Sequence, residues 1–290
     1  MKKFIVTLLG LLFIASGSMA KKKYPMSIMR ASYDYDYNFT FSDGENKRKH
    51  ADMILLIAPE MSRFYSIKTE FLDSLRDTPN GRKIYHQMIS DAMAKGHGDI
   101  DAIDMPCKDV HTQVTKWFDK GEISVIDFVN MNNYVYTEPI GELQWTIGDS
   151  LRTVLGYECQ QAFADYHGRR WTAWFAPEIP VTDGPWKLYG LPGLIMEASC
   201  EEDEHKFTIT GVEKFSQPVT PKPGNPVLEK TDRISFLKEK RASISGSDQE
   251  LNALLLMGVD GKGSDSYRGA TKPSESQQTI IHDFLETDYR

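Results

Sequence analysis

The stretch Ala31-Ser32-Tyr33-Asp34-Tyr35-Asp36-Tyr37-Asn38-Phe39-Thr40-Phe41 alternates aromatic and polar residues without a break. Successive side chains of an extended strand point to opposite faces. Tyr33, Tyr35, Tyr37, Phe39 and Phe41 therefore share one face, and Asp34, Asp36, Asn38 and Thr40 the other. A strand lying between a core and water carries this pattern, which is the mark of an antiparallel sheet. Asp43-Gly44 supplies turn residues. The continuous apolar run Met53 to Ala58, stopped by Pro59, reads as the returning strand, with a charged loop from Glu45 to Lys49 between the two.

Helical spacing is confined to the next segment. Ser66 to Asp77 and Arg82 to Lys95 flank the breaker Pro79-Asn80-Gly81. In the second piece Ile84, Tyr85, Met88, Ile89, Ala92 and Met93 recur at three- and four-residue spacing, one apolar helix face, before Gly96 and Gly98 end it. Beyond Val110 the pattern returns to strands, with β-prone runs at Ile123 to Val129 and Leu143 to Ile147. One hairpin joins Cys159–Tyr166 to Arg170–Phe175 at His167-Gly168. A second joins Leu194–Cys200 to Lys206–Val212 through Glu201-Glu202-Asp203-Glu204. Short strands in succession predict an antiparallel meander. Pro218, Pro221, Pro223 and Pro226 mark an extended connection. Ser247 and Glu250 have capping-box spacing ahead of Leu251, Leu254 and Leu255, a short helix, and Gly258 to Asp265 is a loop. The expected fold class is α+β: a mostly antiparallel twisted β-sheet over residues 21–216, with a helical insertion near 66–95. The C-terminal extension, 217–290, packs on the same domain.

The first twenty residues read as an export signal. Met1-Lys2-Lys3 is a basic start, Phe4 to Ala15 is an apolar run, and Ser18 and Ala20 are small residues at the places a cleavage site requires. The apolar run is shorter than the roughly 20 residues that span a bilayer. No cysteine precedes Cys107, so cleavage after Ala20 would leave no lipid anchor, and the mature protein is expected in the periplasm or outside the cell, without stable membrane insertion. The whole chain carries a net charge of −7, and loss of the signal, with two lysines and no acids, takes it to −9. That balance argues against nucleic-acid binding, whose affinity comes from neutralising phosphates. An apolar content of 40% suffices for a real core.

No catalytic motif survives inspection. A serine hydrolase pentapeptide G-x-S-x-G is absent, and the seven histidines show no paired zinc-ligand spacing. Cys107 and His111 are close in sequence, without implied geometry. Asp34-x-Asp36-x-Asn38 opens like a calcium loop and Glu45 falls at its twelfth position, but Phe39 stands where the sharp turn demands glycine, and the strand reading wins. No metal and no cofactor are expected. Of the three cysteines at most two can pair, and Cys159 and Cys200, on strands of neighbouring hairpins, are the candidate pair; a buried free thiol at Cys159 is the alternative.

The segment Gly190-Leu191-Pro192-Gly193-Leu194-Ile195 follows Asp183-Gly184-Pro185-Trp186-Lys187, and both follow Gly156-Tyr157-Glu158-Cys159 and the run Gly168 to Pro180. In this order they resemble the GLPGLI family, exported proteins common in Bacteroidota, over about Trp145 to Val212. Ser62-Arg63-Phe64-Tyr65-Ser66 fits the family's N-terminal part. The resemblance implies an envelope address and an approximate fold, and no activity. The hairpin arrangement is also similar to periplasmic lipid and lipoprotein carriers that curl an antiparallel sheet around helices.

Within the hexapeptide, Gly190 and Gly193 read as turn glycines on either side of Pro192, with Leu191, Leu194 and Ile195 in the core. Close approach of a ligand or partner backbone is the functional alternative. On the strand before it, Trp171, Ala173 and Phe175 share one face and Trp174 lies on the other. Either helices cover the second face, or it lines an apolar groove. In the groove reading Trp171, Trp174 and Trp186 contact an apolar or amphiphilic ligand, with Arg169, Arg170 or Lys187 at the rim. The leading expectation is a binding module for such a ligand or for another envelope protein. An envelope hydrolase with a non-contiguous active site and a purely structural assembly protein are the alternatives.

Overall fold

The computed structural model describes residues 24–41, 46–95, 106–221, 227–244, 280–282 and 284–289. The chain begins with β1 (Met29–Phe41), β2 (Asn46–Ile57) and β3 (Met61–Ser66), followed by α1 (Ile67–Arg76) and α2 (Pro79–Lys95). Four strands follow: β4 (Gln113–Trp117), β5 (Glu122–Val129), β6 (Asn132–Pro139) and β7 (Thr146–Val154). Then come the hairpins β8 (Tyr157–Tyr166) with β9 (Arg169–Ala176), and β10 (Leu194–Ser199) with β11 (His205–Lys214). The described chain closes with β12 (Leu228–Lys230), α3 (Arg233–Ile244), β13 (Ile280–His282) and the segment 284–289.

All strands join one sheet in the order β12-β6-β5-β4-β3-β2-β1-β11-β10-β9-β8-β7, with β13 added to β1. Every pairing is antiparallel except β12 with β6. The fold is α+β with the sheet dominant, as the alternation of β1 predicts. The sheet is open yet rolled. His167, in the β8–β9 turn, approaches Glu138 of β6 to 3.2 Å, although seven strands separate β6 from β9 in the ladder. In a flat sheet with a strand spacing of about 4.8 Å the two would stand nearly 40 Å apart.

β1 places Tyr33 opposite Met53 and Ile209, and Tyr35 opposite Ala51 and Phe207. The Tyr35 ring stacks on Phe207 at 4.5 Å and on Tyr37 at 4.7 Å, building the core face that the alternation implies. The run Met53 to Ala58 is continuous because both faces of β2 are covered. Met53, Leu55 and Ile57 enter the main core, while Ile54, Leu56 and Ala58 meet Met61, Tyr65 and Val219 on the opposite face. Residues 215–219 cover that outer face, anchored by Val219 N–H to Pro25 O at 2.9 Å.

The turn at Asp43-Gly44 lies outside the described residues, but the charged loop is shorter than its sequence suggests. Asn46 to Lys49 pair with Thr40 to Tyr37 as part of β2, because backbone pairing extends the ladder beyond the apolar core. α1 starts at its cap Ser66, whose Oγ accepts from Thr69 N at 3.1 Å. The breaker Pro79-Asn80-Gly81 is the first turn of α2 and not a linker. Proline suits that position, where its missing N–H is not needed, and Thr78 Oγ1 caps Gly81 N at 3.0 Å. Ile84, read as part of the apolar face, is exposed. The strand read at Leu143–Ile147 begins at Thr146 and runs to Val154. Pattern reading named no strand at β3, β4, β6, β12 or β13 and no helix at α3. The helix read near Ser247–Leu255, the loop Gly258–Asp265 and the glycines 96 and 98 lie outside the described residues. Phe236 and Leu237 of α3 and Phe284 and Tyr289 of the last segment pack into the main core.

Candidate functional site

The hexapeptide ends a loop, residues 177–193, that leaves β9 and returns as β10. The loop folds back on itself through the bridge between Asp183 and Tyr189, with Gly190 N–H donating to Thr182 O at 3.0 Å. Gly190 adopts a φ of 93°, which side chains other than glycine rarely take. Gly193 is required for a different reason: a Cβ there would sit 2.3 Å from the carbonyl oxygen of Ala176 at the end of β9. The close approach is thus made by the protein's own backbone. Leu191, Leu194 and Ile195 are buried in the core.

The loop is pinned across the inner sheet face. Lys116 of β4 and Asp183 are both fully buried and pair at 2.6 Å, and the same ammonium donates to Gly184 O at 2.7 Å and Leu188 O at 2.9 Å. Burial pulls the Lys116 pKa down, and Asp183 opposes that shift. So anchored, the loop presents Trp186 and Lys187 to the interior. Trp186 holds a left-handed φ of 51°, strain that persists only where packing dictates it. Its ring lies 5.5 Å from that of Trp171 and 6.0 Å from that of Tyr166.

Lys187, with no exposed surface, joins an ion cluster with groups from four other parts of the chain. Its ammonium bridges Glu138 of β6 and Glu286 of the last segment, the latter at 2.7 Å. Arg233 of α3 reaches Glu138 at 3.2 Å, Glu286 at 2.9 Å and Asp288 at 2.6 Å. His167 turns Nε2 to Glu138 and Nδ1 to Asp288, the latter at 3.5 Å. Burial acts to raise the Glu138 pKa, but His167 and Lys187 hold it below the usual value. The same contest leaves Asp288 depressed by Arg233. Glu138, His167 and Glu286 stand close enough to share a cation. Lys187 and Arg233 already fill that role, and a metal ion would have to displace a buried ammonium. On the outer face Asp34, His50 and Asp52 also cluster. There the His50 pKa is raised, chiefly by its hydrogen bond to Asp36. Asp34 and Asp36 are thus outward positions on β1, where the strand reading of that stretch puts them.

Beside the cluster lies a cavity of about 800 Å³, between the inner sheet face, α1, residues 106–112, α3 and the last segment. Tyr35, Tyr136, Trp186, Phe236 and Phe284 supply aromatic wall, and His111, Asp127, Lys240 and Glu286 supply polar groups. Asp127 is buried, paired with Lys240 at 2.7 Å and with the Thr112 hydroxyl at 2.7 Å. These partners outweigh burial and keep its pKa low. His111 stacks on Phe128 at 5.1 Å, and its Nδ1 is buried without a hydrogen-bond partner. Burial lowers the His111 pKa to about 4. An unfolded chain takes up this proton near pH 6.5, so between pH 6.5 and 4 the unfolded state binds more protons and stability falls as pH falls. The loss attributable to His111 is expected to reach about 3 kcal/mol at pH 4. Urea midpoints of wild type and His111→Phe should diverge in this window, with the variant flatter; parallel curves would count against the assignment.

The sequence-derived candidates fall in different places. Trp171 and Trp186 meet in the core, and Trp186 lines the cavity. Trp174 lies on the opposite sheet face under the Arg152 guanidinium, 4.1 Å away. Arg169 and Lys187 are buried, not at a rim: Arg169 pairs with Glu204 at 2.7 Å and donates to the Phe284 carbonyl. All three cysteines are free thiols, which corrects the candidate pair Cys159–Cys200. Cys159 is on β8 and Cys200 follows β10, with β9 between them. Two strand spacings, about 9.5 Å, exceed the Cα separation a disulfide can close. Burial raises the Cys200 pKa to about 11 and also raises that of Cys159. Glu138, Arg233, Glu286 and Asp127 escaped the sequence reading. An acid among tyrosines, as in Tyr134-Val135-Tyr136-Thr137-Glu138, was the available signal for Glu138.

Residues 166–197 match the model of a family described as a protein of unknown function (Porph_ging). The match covers 32 of the chain's 290 residues. The matched stretch holds the β8–β9 turn, β9, the 177–193 loop and the start of β10, including the hexapeptide on which the GLPGLI resemblance rests. No curated protein matches the chain. Similar solved structures include PNGF-II in space group P21, at 12% identity and a TM-score of 0.48, covering 73% of this chain and 34% of that one. PNGF-II in space group C2 gives 13% identity and a TM-score of 0.46, with 73% and 33% covered. The chain thus spans about a third of the length of those structures.

Proposed function

We propose that this protein is an exported binding protein of the cell envelope that holds a mostly apolar small molecule in the cavity beside Trp186. The cavity carries the reading. At about 800 Å³ it has the size of small-molecule sites, with aromatic walls and a few convergent polar groups. The matched stretch supports it, because the 177–193 loop inserts a strained tryptophan into that wall. Export rests on the sequence of residues 1–20 and on the GLPGLI resemblance, which together favour the periplasm. Among the described residues no helix is long and apolar enough to cross a membrane.

Native mass spectrometry of protein purified from an envelope fraction tests the reading, with a co-purified small molecule as the expected result. A second measurement uses Leu285→Trp, which adds bulk at a half-buried position on the cavity wall. It should weaken binding of an uncharged hydrophobic probe about tenfold by steric exclusion while leaving the thermal midpoint nearly unchanged. Equal probe binding by both proteins would remove the cavity as the site.

A further inference from the structure

The charges around the cavity are distributed unevenly, and this defines a ligand class for the proposed site. Deep in the wall each charge is already matched. Lys240 pairs with Asp127, and Glu286 pairs with Lys187 and Arg233. Asp109 accepts from the Ser66 hydroxyl, from Thr69 Oγ1 at 3.2 Å and from its neighbour Val110 N at 2.6 Å, at the N-terminus of α1. Lys108 is bound to Asp73 at 2.5 Å. An anionic group lowered into the interior would meet Asp127 and Glu286, whose own partners are saturated.

The mouth differs. Arg76, exposed at the end of α1, lines the cavity and meets no carboxylate among the described residues. Its guanidinium lies 5.0 Å over the Tyr85 ring and donates to the Tyr85 hydroxyl at 3.2 Å, which holds it in place without neutralising it. Arg82, which does not itself line the cavity, donates to the Arg76 carbonyl at 3.0 Å, so a second guanidinium stands at the end of α1, also without an acidic partner among the described residues. An aromatic floor with balanced charge below an unmatched guanidinium pair orients a ligand with its apolar body inward and its negative end outward.

Resting on the cavity reading above, we infer that the ligand is an anionic amphiphile, its tail against Trp186 and Phe236 and its acidic head at Arg76 and Arg82. Laurate and its uncharged methyl ester are suitable probes, compared by isothermal titration calorimetry on the full mature protein. Wild type should bind laurate about fivefold more tightly than the ester, the order expected for a partly exposed charge-assisted pair. In the double variant Arg76→Gln/Arg82→Gln that preference should vanish with ester affinity unchanged, and Arg76→Glu should favour dodecylammonium over laurate. Both positions are exposed, so thermal midpoints serve as controls for folding. If the ester binds wild type as well as laurate does, or the preference survives the double substitution, the inference fails while the cavity reading stands. If neither probe binds wild type, the cavity reading fails and takes the inference with it.

Discussion

Lys116→Met is expected to lose about 3–5 kcal/mol of stability, the cost of leaving one member of a buried ion pair without its partner. The ammonium serves three acceptors at once: the Asp183 carboxylate and the carbonyls of Gly184 and Leu188. Methionine fills much the same volume, so the loss reports the charge and not a void. Asp183 would be left as an uncompensated buried anion at the hinge of the 177–193 loop. Adding Asp183→Asn should restore part of the loss, because a neutral amide costs far less to bury than a carboxylate. Urea unfolding followed by tryptophan fluorescence measures both. A single variant within about 1 kcal/mol of wild type, or a double variant no better than the single, would show that the pair does not hold the loop.

Gly193→Ala is expected to cost at least about 3 kcal/mol, above the ordinary range for overpacking because the obstacle is main chain. The new Cβ would fall 2.3 Å from Ala176 O and 2.6 Å from its carbonyl carbon, and Leu194 pairs with Ala176 at the start of the β9–β10 ladder. Relief requires the two strands to part at their first pairing. Gly190→Ala is the internal comparison. There the nearest atom to a Cβ is Trp145 Cδ1 at 4.0 Å, and only the φ of 93° resists the change, so about 1–2 kcal/mol is expected. Thermal and urea midpoints that rank the two variants in the reverse order would refute the close-approach account of Gly193.

Local patterns disclosed much of the sheet. The alternation from Tyr33 to Tyr37 identified β1, and His167-Gly168 marked a hairpin whose two turn residues adopt φ of 53° and 79°. Ser66, read as the first residue of a helix, is its cap, because its hydroxyl accepts from Thr69 N. The breaker Pro79-Asn80-Gly81 was misplaced by a few residues, since proline both stops one helix and opens the next. β6 was missed because Asn132-Asn133 and Pro139 at its ends look like turn residues. Arg169 and Lys187 looked like rim cations because long charged side chains are rarely buried. Nothing near either of them in sequence announces Glu204 or Glu286.

The amino-acid sequence alone determined where several of the strands and the first two helices form, which face of β1 is apolar, and that Leu191, Leu194 and Ile195 are core. Those properties depend on neighbours within a few residues, the range over which alternation, capping and turn chemistry act. Tertiary structure decided that the sheet rolls until β6 meets the β8–β9 turn. It also decided that the cavity is walled partly by the last residues of the chain. Burying Lys187, Glu138, His167 and Glu286 is tolerable only when all are brought together, because each isolated charge would be expelled to water. No local pattern can encode such a pairing, since its members approach one another only after the strands between them have paired.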